Sequence, residues 1–373
     1  MRGFCAALLA LPLTGCVLLS SMAGPAEGFV PGDAGRTTRT GFRDLKGVIH
    51  VHSFLSHDSK GTVAEISAAA TSVGLDFLVM TDHLSPYSIA RGTRGMQGNT
   101  LWITGAEING PGGGNYLIAF PLRHYVRPKP TIEAVLADVH GQGGLVFIDH
   151  AERFSGWDVP GYDGLEIVNL HALALEVSTG KALVKAVFTS IHELLEQLVV
   201  RPAANLARYD AMTARHWPFP AIAANDAHNN VKLFGPLGGT LGTYEELFKV
   251  VTTHVQAAEL SQDAIVAALR AGRSFVVFDF WRDGTGFDLL VRSGDALHPM
   301  GASVPHAPGL DVEVHVPVDA EIRLFRDGHE VMRALGRTLV LPGAPPGVYR
   351  AEVFLAGERP WIFSSAVRIV AGG

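Results

Sequence analysis

From Gly47 onward, short runs that are apolar at nearly every position alternate with stretches of helical period. Gly47-Val48-Ile49, Phe77–Met80, Leu101–Thr104, Tyr116–Phe120, Leu145–Ile148, Leu165–Val168 and Ala221–Ala224 lack the polar alternation of a half-solvated strand, so they predict strands buried on both faces. Helices are expected between them. One begins near Thr62, where Glu65 three residues on completes a capping box, and one runs from Thr131 to about His140 and stops at Gly141. Long helical material fills roughly Ala172 to Met212, and Ser261-Gln262-Asp263 caps a last helix ending at Gly272. Covered strands alternating with helices predict an α/β fold with a parallel sheet or barrel. After about Phe278 the pattern changes. Asp311–Val316 alternates strictly, Asp327-Gly328 is a hairpin-turn dipeptide, Pro342–Gly347 is a turn cluster, and Tyr349–Leu355 and Trp361–Val370 read as strands. The last part therefore predicts a small β-sandwich.

The N-terminus reads as an address. Arg2 precedes an apolar stretch from Phe4 to Leu13, too short and too interrupted by Pro12 and Gly15 for a membrane span. Leu13-Thr14-Gly15-Cys16 resembles the lipobox of bacterial lipoproteins, which implies cleavage before Cys16 and lipidation of its sulfur, with a periplasmic or cell-surface protein held to the membrane only by that anchor. Cleavage after Ser21-Met22-Ala23, giving a soluble secreted protein, is the alternative. The expected organisation is a signal peptide over 1–15, a tether over 16–41, a catalytic domain over 42–278 and an Ig-like β-sandwich over 279–373.

Composition narrows the chemistry. The 373 residues are 47% hydrophobic and 18% charged with a net charge of −6, which excludes a disordered chain and argues against electrostatic binding to nucleic acid or anionic lipid. Both cysteines, Cys5 and Cys16, lie in the opening segment, so a disulfide framework and thiolate-ligated metals are excluded from the body. The 16 histidines turn attention to metal binding through imidazole and carboxylate.

Their placement is informative. Val48-Ile49 runs into His50-Val51-His52, Phe77–Met80 into Thr81-Asp82-His83, Leu145–Ile148 into Asp149-His150, and Ala221–Ala224 into Asn225-Asp226-Ala227-His228; Leu101–Thr104 adds Glu107 in the same relative place. The C-terminal ends of parallel strands open onto one face, so these side chains are expected to converge. Imidazoles with carboxylates and no thiolate suit two or three divalent ions, zinc, manganese or iron, with positions open to water. Ions about 3.5–4 Å apart would generate hydroxide near neutral pH and clamp the oxygens of a transferring group.

His50-Val51-His52-Ser53-Phe54-Leu55-Ser56-His57-Asp58 resembles the first motif of the polymerase and histidinol phosphatase (PHP) superfamily. Thr81-Asp82-His83, Gly105-Ala106-Glu107, Asp149-His150-Ala151 and Asn225-Asp226-Ala227-His228 resemble its later motifs in the right order. The resemblance implies a distorted (β/α)7 barrel, and metal ligands His50, His52, Asp58, His83, Glu107, His150, Asp226 and His228, with Glu107 bridging. Asn115 stands where trinuclear members carry a further histidine, and Asn225 replaces the usual serine. The exported layout with a C-terminal β-domain is similar to the carbaryl hydrolase branch.

Among other residues, Asp82 and Asp149 are expected to orient imidazoles, Glu166 and His171 flank another strand end, and His57 reads as a loop histidine. Arg91, Arg94 and Lys60, on loops over the strand ends, are candidates to hold a substrate phosphate. The function expected is an exported metal-dependent hydrolase acting on a small-molecule ester, most of all a phosphoester, with Glu107, Asp226 and His228 closest to the chemistry. Cleavage of carbamates or carboxylic esters is the first alternative, and a non-catalytic surface metal- or ligand-binding lipoprotein the second.

Overall fold

A computed structural model describes residues 36–178, 191–228 and 242–372. The fold is mixed α/β with one large sheet. Its N-terminal strands are β1 (Arg36–Thr37), β2 (Arg43–Val51), β3 (Phe77–Met80), β4 (Gly95–Gln97), β5 (Thr100–Thr104), β6 (Ala106–Asn109), β7 (Tyr116–Phe120), β8 (Leu145–Ile148), β9 (Gly164–Asn169), β10 (Ala221–Ala227), β11 (Thr252–Ala257) and β12 (Ser274–Val277). The expected apolar runs all lie within strands, and the helix caps fall where the sequence put them. Helix α1 (Val63–Val73) starts at a Thr62–Glu65 capping box, and α3 (Ile132–Gly141) is capped by Thr131; the short α2 (Pro86–Arg91) lies between them. The helix α4 (Leu170–Ser178) and the helices Ile191–Glu196 and Ala203–Thr213 occupy part of the long helical stretch. The signal segment and Cys16 lie outside the described residues. Among the described residues no helix is long and apolar enough to cross a membrane.

Ladders run parallel from β5 through β3, β2, β10 and β9 to β8. Then β7 turns antiparallel to both β8 and β6. A parallel bridge between His83 and Glu107, and the Leu122 N–H donating to the Thr104 carbonyl at 2.9 Å, bring the path back to β3 and β5. Not every strand is parallel, contrary to what the apolar runs suggested. Burial on both faces hides a strand's direction, because neither arrangement then needs polar alternation. The reversal matters for the site, since it is the start of β7, not its end, that lies beside the other strand termini.

Strands β11 and β12 pair antiparallel, and β11 lies along the first half of β2. Their sequences, Thr252-Thr253-His254-Val255-Gln256-Ala257 and Ser274-Phe275-Val276-Val277, contain enough hydroxyls and amide to hide two fully buried strands from hydropathy. The C-terminal strands are β13 (Asp288–Ser293), β14 (Ala296–Pro299), β15 (Ser303–Pro305), β16 (Leu310–Arg326), β17 (His329–Leu341), β18 (Gly347–Leu355), β19 (Arg359–Ser364) and β20 (Val367–Val370). Asp327 (φ 52°) and Gly328 (φ 80°) make the tight turn between β16 and β17, as the dipeptide predicts. The parts on either side of residue 278 share ladders and core. β12 pairs with β19, and Phe354, Phe363 and Ala366 pack into the core of the N-terminal strands. Arg350 clamps Asp210 with bonds of 2.6 and 2.8 Å, and Arg201 clamps the buried Glu352 at 2.6 and 2.7 Å.

The start of β2 sits in a buried polar layer. Lys46 Nζ lies 2.8 Å from Asp279 and 3.0 Å from Asp283, Thr252 donates to Asp279, and His254 Nδ1 is 2.7 Å from Asp44. Burial pushes the Asp283 carboxyl up, but Lys46 and His254 together pull it down to about 2. A carboxylate depressed in the folded state stabilises fully above its unfolded pKa of about 3.9, and this contribution fades as the pH falls toward 2. Removing the Lys46 charge leaves Asp279 buried without its counter-ion. Lys46→Met is therefore expected to cost about 3–5 kcal/mol in denaturant unfolding at pH 7. Asp283→Asn should cost less, and its deficit relative to the parent should shrink between pH 4 and pH 2.

Candidate metal centre

Local backbone geometry turns the ligand side chains into one space. His50, His150 and Asp226 have φ of 70°, 44° and 48°, a left-handed conformation uncommon outside glycine. Two of them sit at irregularities of register, His50 between Ile49 and Val51 in the β2–β3 ladder and Asp226 between Ala224 and Ala227 in the β10–β2 ladder. A bulge adds one residue, re-aims its side chain and lets the strand resume. Holding three non-glycine residues this way costs on the order of 1–3 kcal/mol each, offset by the ladders on either side. Glu107 follows Gly105, where a Cβ would sit 2.4 Å from the Ala119 carbonyl oxygen, so the close approach of β6 to β7 requires glycine there.

The structure brings all eight sequence-predicted ligands together at one end of the strands. Glu107 Oε2 lies 3.1 Å from His83 Nδ1, 3.4 Å from His52 Nε2 and 3.7 Å from His50 Nε2. Asp226 directs Oδ1 toward His50 and His52 Nε2 at 3.4 and 3.5 Å, and Oδ2 toward His150 Nε2 at 3.6 Å. Asp58 Oδ2 is 2.9 Å from His83 Nε2 and 3.2 Å from His228 Nε2. Sets within reach of a common ion are His52–Asp58–His83–His228, His50–His52–Glu107, His50–Asp149–Glu166 and Glu107–Asp149–His150.

Hydrogen bonds on the far side of the rings decide which nitrogen faces inward. His228 Nδ1 lies 2.8 Å from the Asp226 carbonyl, which can only accept, so this nitrogen carries the proton. His50 Nδ1 donates to Glu166 at 3.1 Å and His150 Nδ1 to Glu152 at 3.2 Å. His52 Nδ1 meets Ser56 Oγ at 2.9 Å, but the single serine proton goes to Asp82 at 3.1 Å, so the imidazole must donate. The same Oγ accepts the His83 backbone N–H at 2.9 Å. Asp82 thus orients His52 through Ser56, not the His83 ring that follows it in sequence. All four rings turn Nε2 inward, toward carboxylate oxygens or, for His50 and His52, toward each other at 3.1 Å.

The electrostatics express the same crowding. Burial pulls the His50 pKa down, but Asp226, Asp149 and Glu166 raise it well above the usual imidazole value. Burial holds His52 below that value. Asp226 resists its own burial and is held well below the carboxylate range by His50, His52 and His228. Asp149 is pushed far up, first by burial and then by Glu166. Its Oδ2 is buried and accepts no hydrogen bond among the described residues. A cation beside it would satisfy that oxygen and reverse the shift. Together with a donor set of imidazole nitrogens and carboxylate oxygens, this fits divalent ions such as zinc, manganese or iron.

Other residues fall differently from expectation. Glu166 is an orienting partner of His50, and Asp149 accepts the His150 backbone N–H at 2.6 Å while presenting Oδ2 to the cluster. Asn115 Oδ1 accepts from the Ser155 and Gly156 backbone N–H groups and from the Ser155 hydroxyl. Asn225 Nδ2 donates to the carbonyls of Leu247 and Val251, tying β10 to the segment just before β11. His57 packs on His83 and His171 on His228, with ring centroids at 4.6 and 5.5 Å. A cleft of about 880 Å³ opens over the cluster. Arg91, Arg94 and Lys60 do not line it: Arg94 donates to the Ile89 carbonyl, Arg91 lies over Tyr87, and Lys60 is exposed. Among the described residues the cations along the cleft are Arg127, Lys129 and Arg153. The sequence signal for two of them is a stretch from 121 to 131 that holds Arg123, Arg127 and Lys129 and no acid.

No family model matches the chain, and no curated protein matches it. Among solved structures it is similar to a two-domain protein from Bacteroides vulgatus ATCC 8482 containing a predicted PHP-like metal-dependent phosphoesterase, at 14% identity and a TM-score of 0.43, over 90% of this chain and 98% of that one. It is also similar to a protein from Bifidobacterium adolescentis ATCC 15703 assigned as a metal-dependent phosphoesterase, at 15% identity and a TM-score of 0.31, over 56% of this chain and 92% of that one.

Loss of an orienting partner should weaken metal binding without removing a ligand. Ser56→Ala and Glu166→Leu are each expected to lower affinity for zinc or manganese about 10–100-fold in competition with a chelator. Arg91→Ala should leave it unchanged.

Proposed function

We propose that the chain is a metal-dependent hydrolase of the PHP superfamily, built on a distorted (β/α)7 barrel backed by an Ig-like β-sandwich, and that it cleaves phosphoesters. The observation that carries this reading is the set of inward Nε2 atoms facing carboxylates beneath an open cleft. His50, His52, Asp58, His83, Glu107, His150, Asp226 and His228 would hold two or three divalent ions. Such ions supply a nucleophile from water near neutral pH and stabilise charge on the oxygens of the reacting centre. The chain's own contribution is to fix where those ions and the substrate lie. Glu107 Oε2, close to three imidazoles, suits a carboxylate shared between ions. Asp226, with one oxygen toward His50 and His52 and the other toward His150, ties the same two sides of the cluster together.

The cleft favours an anionic substrate, because among the described residues its only lining carboxylates, Asp58, Glu107 and Asp226, belong to the metal cluster, while Arg127, Lys129 and Arg153 border the rest. That preference is why phosphoesters are placed ahead of the carbamates and carboxylic esters of the carbaryl hydrolase branch. Export and lipidation at Cys16 complete the proposal and rest on residues 1–23 alone.

The test is turnover of phosphomonoesters, phosphodiesters, carbamates and carboxylic esters by protein lacking residues 1–23 and loaded with zinc, manganese or iron. Phosphoester turnover is expected; turnover of carbamates alone would overturn the substrate assignment. Variants probe the ligand roles. Glu107→Gln is expected to lower ion content from about two per chain toward none and to abolish turnover, whereas His228→Asn should lose chiefly one ion. Full occupancy and turnover in Glu107→Gln would contradict the shared-carboxylate role.

A further inference from the structure

We infer that the cleft holds a second anion-binding subsite, formed by Arg127 and Arg153 beside the metal cluster, and that the substrate carries a second negatively charged group away from the bond that is cleaved. This rests on the hydrolase reading above and specifies its substrate. The cleft, at about 880 Å³, is larger than a lone phosphate group requires. Arg153 stands in the turn after His150, its backbone N–H donating to the His150 carbonyl at 2.9 Å, so it borders the ligand cluster directly. Arg127 comes from the connection between β7 and α3.

That connection fixes the backbone from which the exposed Arg127 side chain projects. Val126 is 1% exposed and anchors the segment in the core, Pro128 and Pro130 restrict the chain that follows, and Thr131 starts α3 at once. An arginine on such a segment loses less freedom on binding than one on a flexible loop. The third cation, Lys129, is engaged with Asp138 at 2.6 Å, which leaves the two guanidinium groups as the recognition elements. Guanidinium forks bind carboxylate and phosphate with paired hydrogen bonds. Among the described residues every lining carboxylate belongs to the metal cluster, so no other described residue of the lining offsets the charge of this wall.

The probes are phenyl phosphate, 3-carboxyphenyl phosphate and 1,3-phenylene bisphosphate, assayed with the metal-loaded chain. The second anion is expected to lower KM about tenfold relative to phenyl phosphate. The relative gains of the carboxylate and bisphosphate probes report which kind of anion fits. The KM ratio should fall toward one in Arg127→Ala and in Arg153→Ala, and survive in part in Arg127→Lys. Arg123→Ala, an exposed cation of the same connection outside the cleft lining, should keep the ratio. Calorimetric binding of phenylphosphonate and 3-carboxyphenylphosphonate reads the same preference without turnover. Absence of hydrolysis with the binding preference intact would refute the hydrolase reading and leave the subsite standing. Equal KM and equal affinity for the paired probes, or loss of the ratio in Arg123→Ala, would overturn the subsite.

Discussion

Imidazole rings whose outer nitrogens are committed as donors have only their second nitrogens left to turn inward, and in this protein what these meet there is carboxylate. His50, His52, His150 and His228 give Nδ1–H to Glu166, Ser56, Glu152 and the Asp226 carbonyl, and their Nε2 atoms crowd against Glu107, Asp226 and Asp58. Lone pairs facing carboxylate oxygens repel, and burial strengthens the repulsion because water is not there to screen it. Positive charge between them reverses the sign. Protons supply it one site at a time, whereas divalent ions satisfy several atoms at once. The left-handed backbone at His50, His150 and Asp226 belongs to the same economy: local strain is accepted where it brings donor atoms to a common centre.

Such crowding needs a stiff frame. The strands that end in the ligands are buried on both faces and bonded edge to edge, and β2, which carries His50 and His52, is fixed at its other end by the Lys46–Asp279–Asp283 group and the His254–Asp44 pair. The C-terminal strands reinforce the frame from outside without giving a residue to any candidate ligand set. Arg350 and Glu352 tie them to the helix Ala203–Thr213 and to Arg201. Chemistry and support therefore occupy opposite ends of the same strand.

Much of this arrangement was legible in the sequence because strand ends are a topological address. Phe77–Met80 and Leu145–Ile148 announce buried strands, and the histidines directly after them must emerge at strand termini. What stayed hidden has physical reasons. Strand direction leaves no trace in an all-apolar run, so the reversal of β7 was missed, and with it the position of Tyr116 on the cleft wall. β11 and β12 carry threonine and serine hydroxyls and a glutamine amide whose donors find partners inside the protein, which masks the strands' burial. Loop cations could be counted but not placed. Arg91 and Arg94 follow a ligand histidine closely, yet the loop folds them outward, while Arg127, 20 residues beyond Glu107, returns to the cleft because Val126 pins its segment to the core.

The inward Nε2 atoms are arranged to take cations. Long-range proton–nitrogen NMR correlation of the histidine side chains, recorded on metal-free protein and again after titration with zinc, reads it directly. His50, His52, His150 and His228 should keep Nδ1 protonated throughout, and their Nε2 resonances should move to the metal-bound range when zinc is added. Nε2-protonated rings in the zinc-titrated protein, or Nε2 resonances that do not respond to zinc, would contradict it.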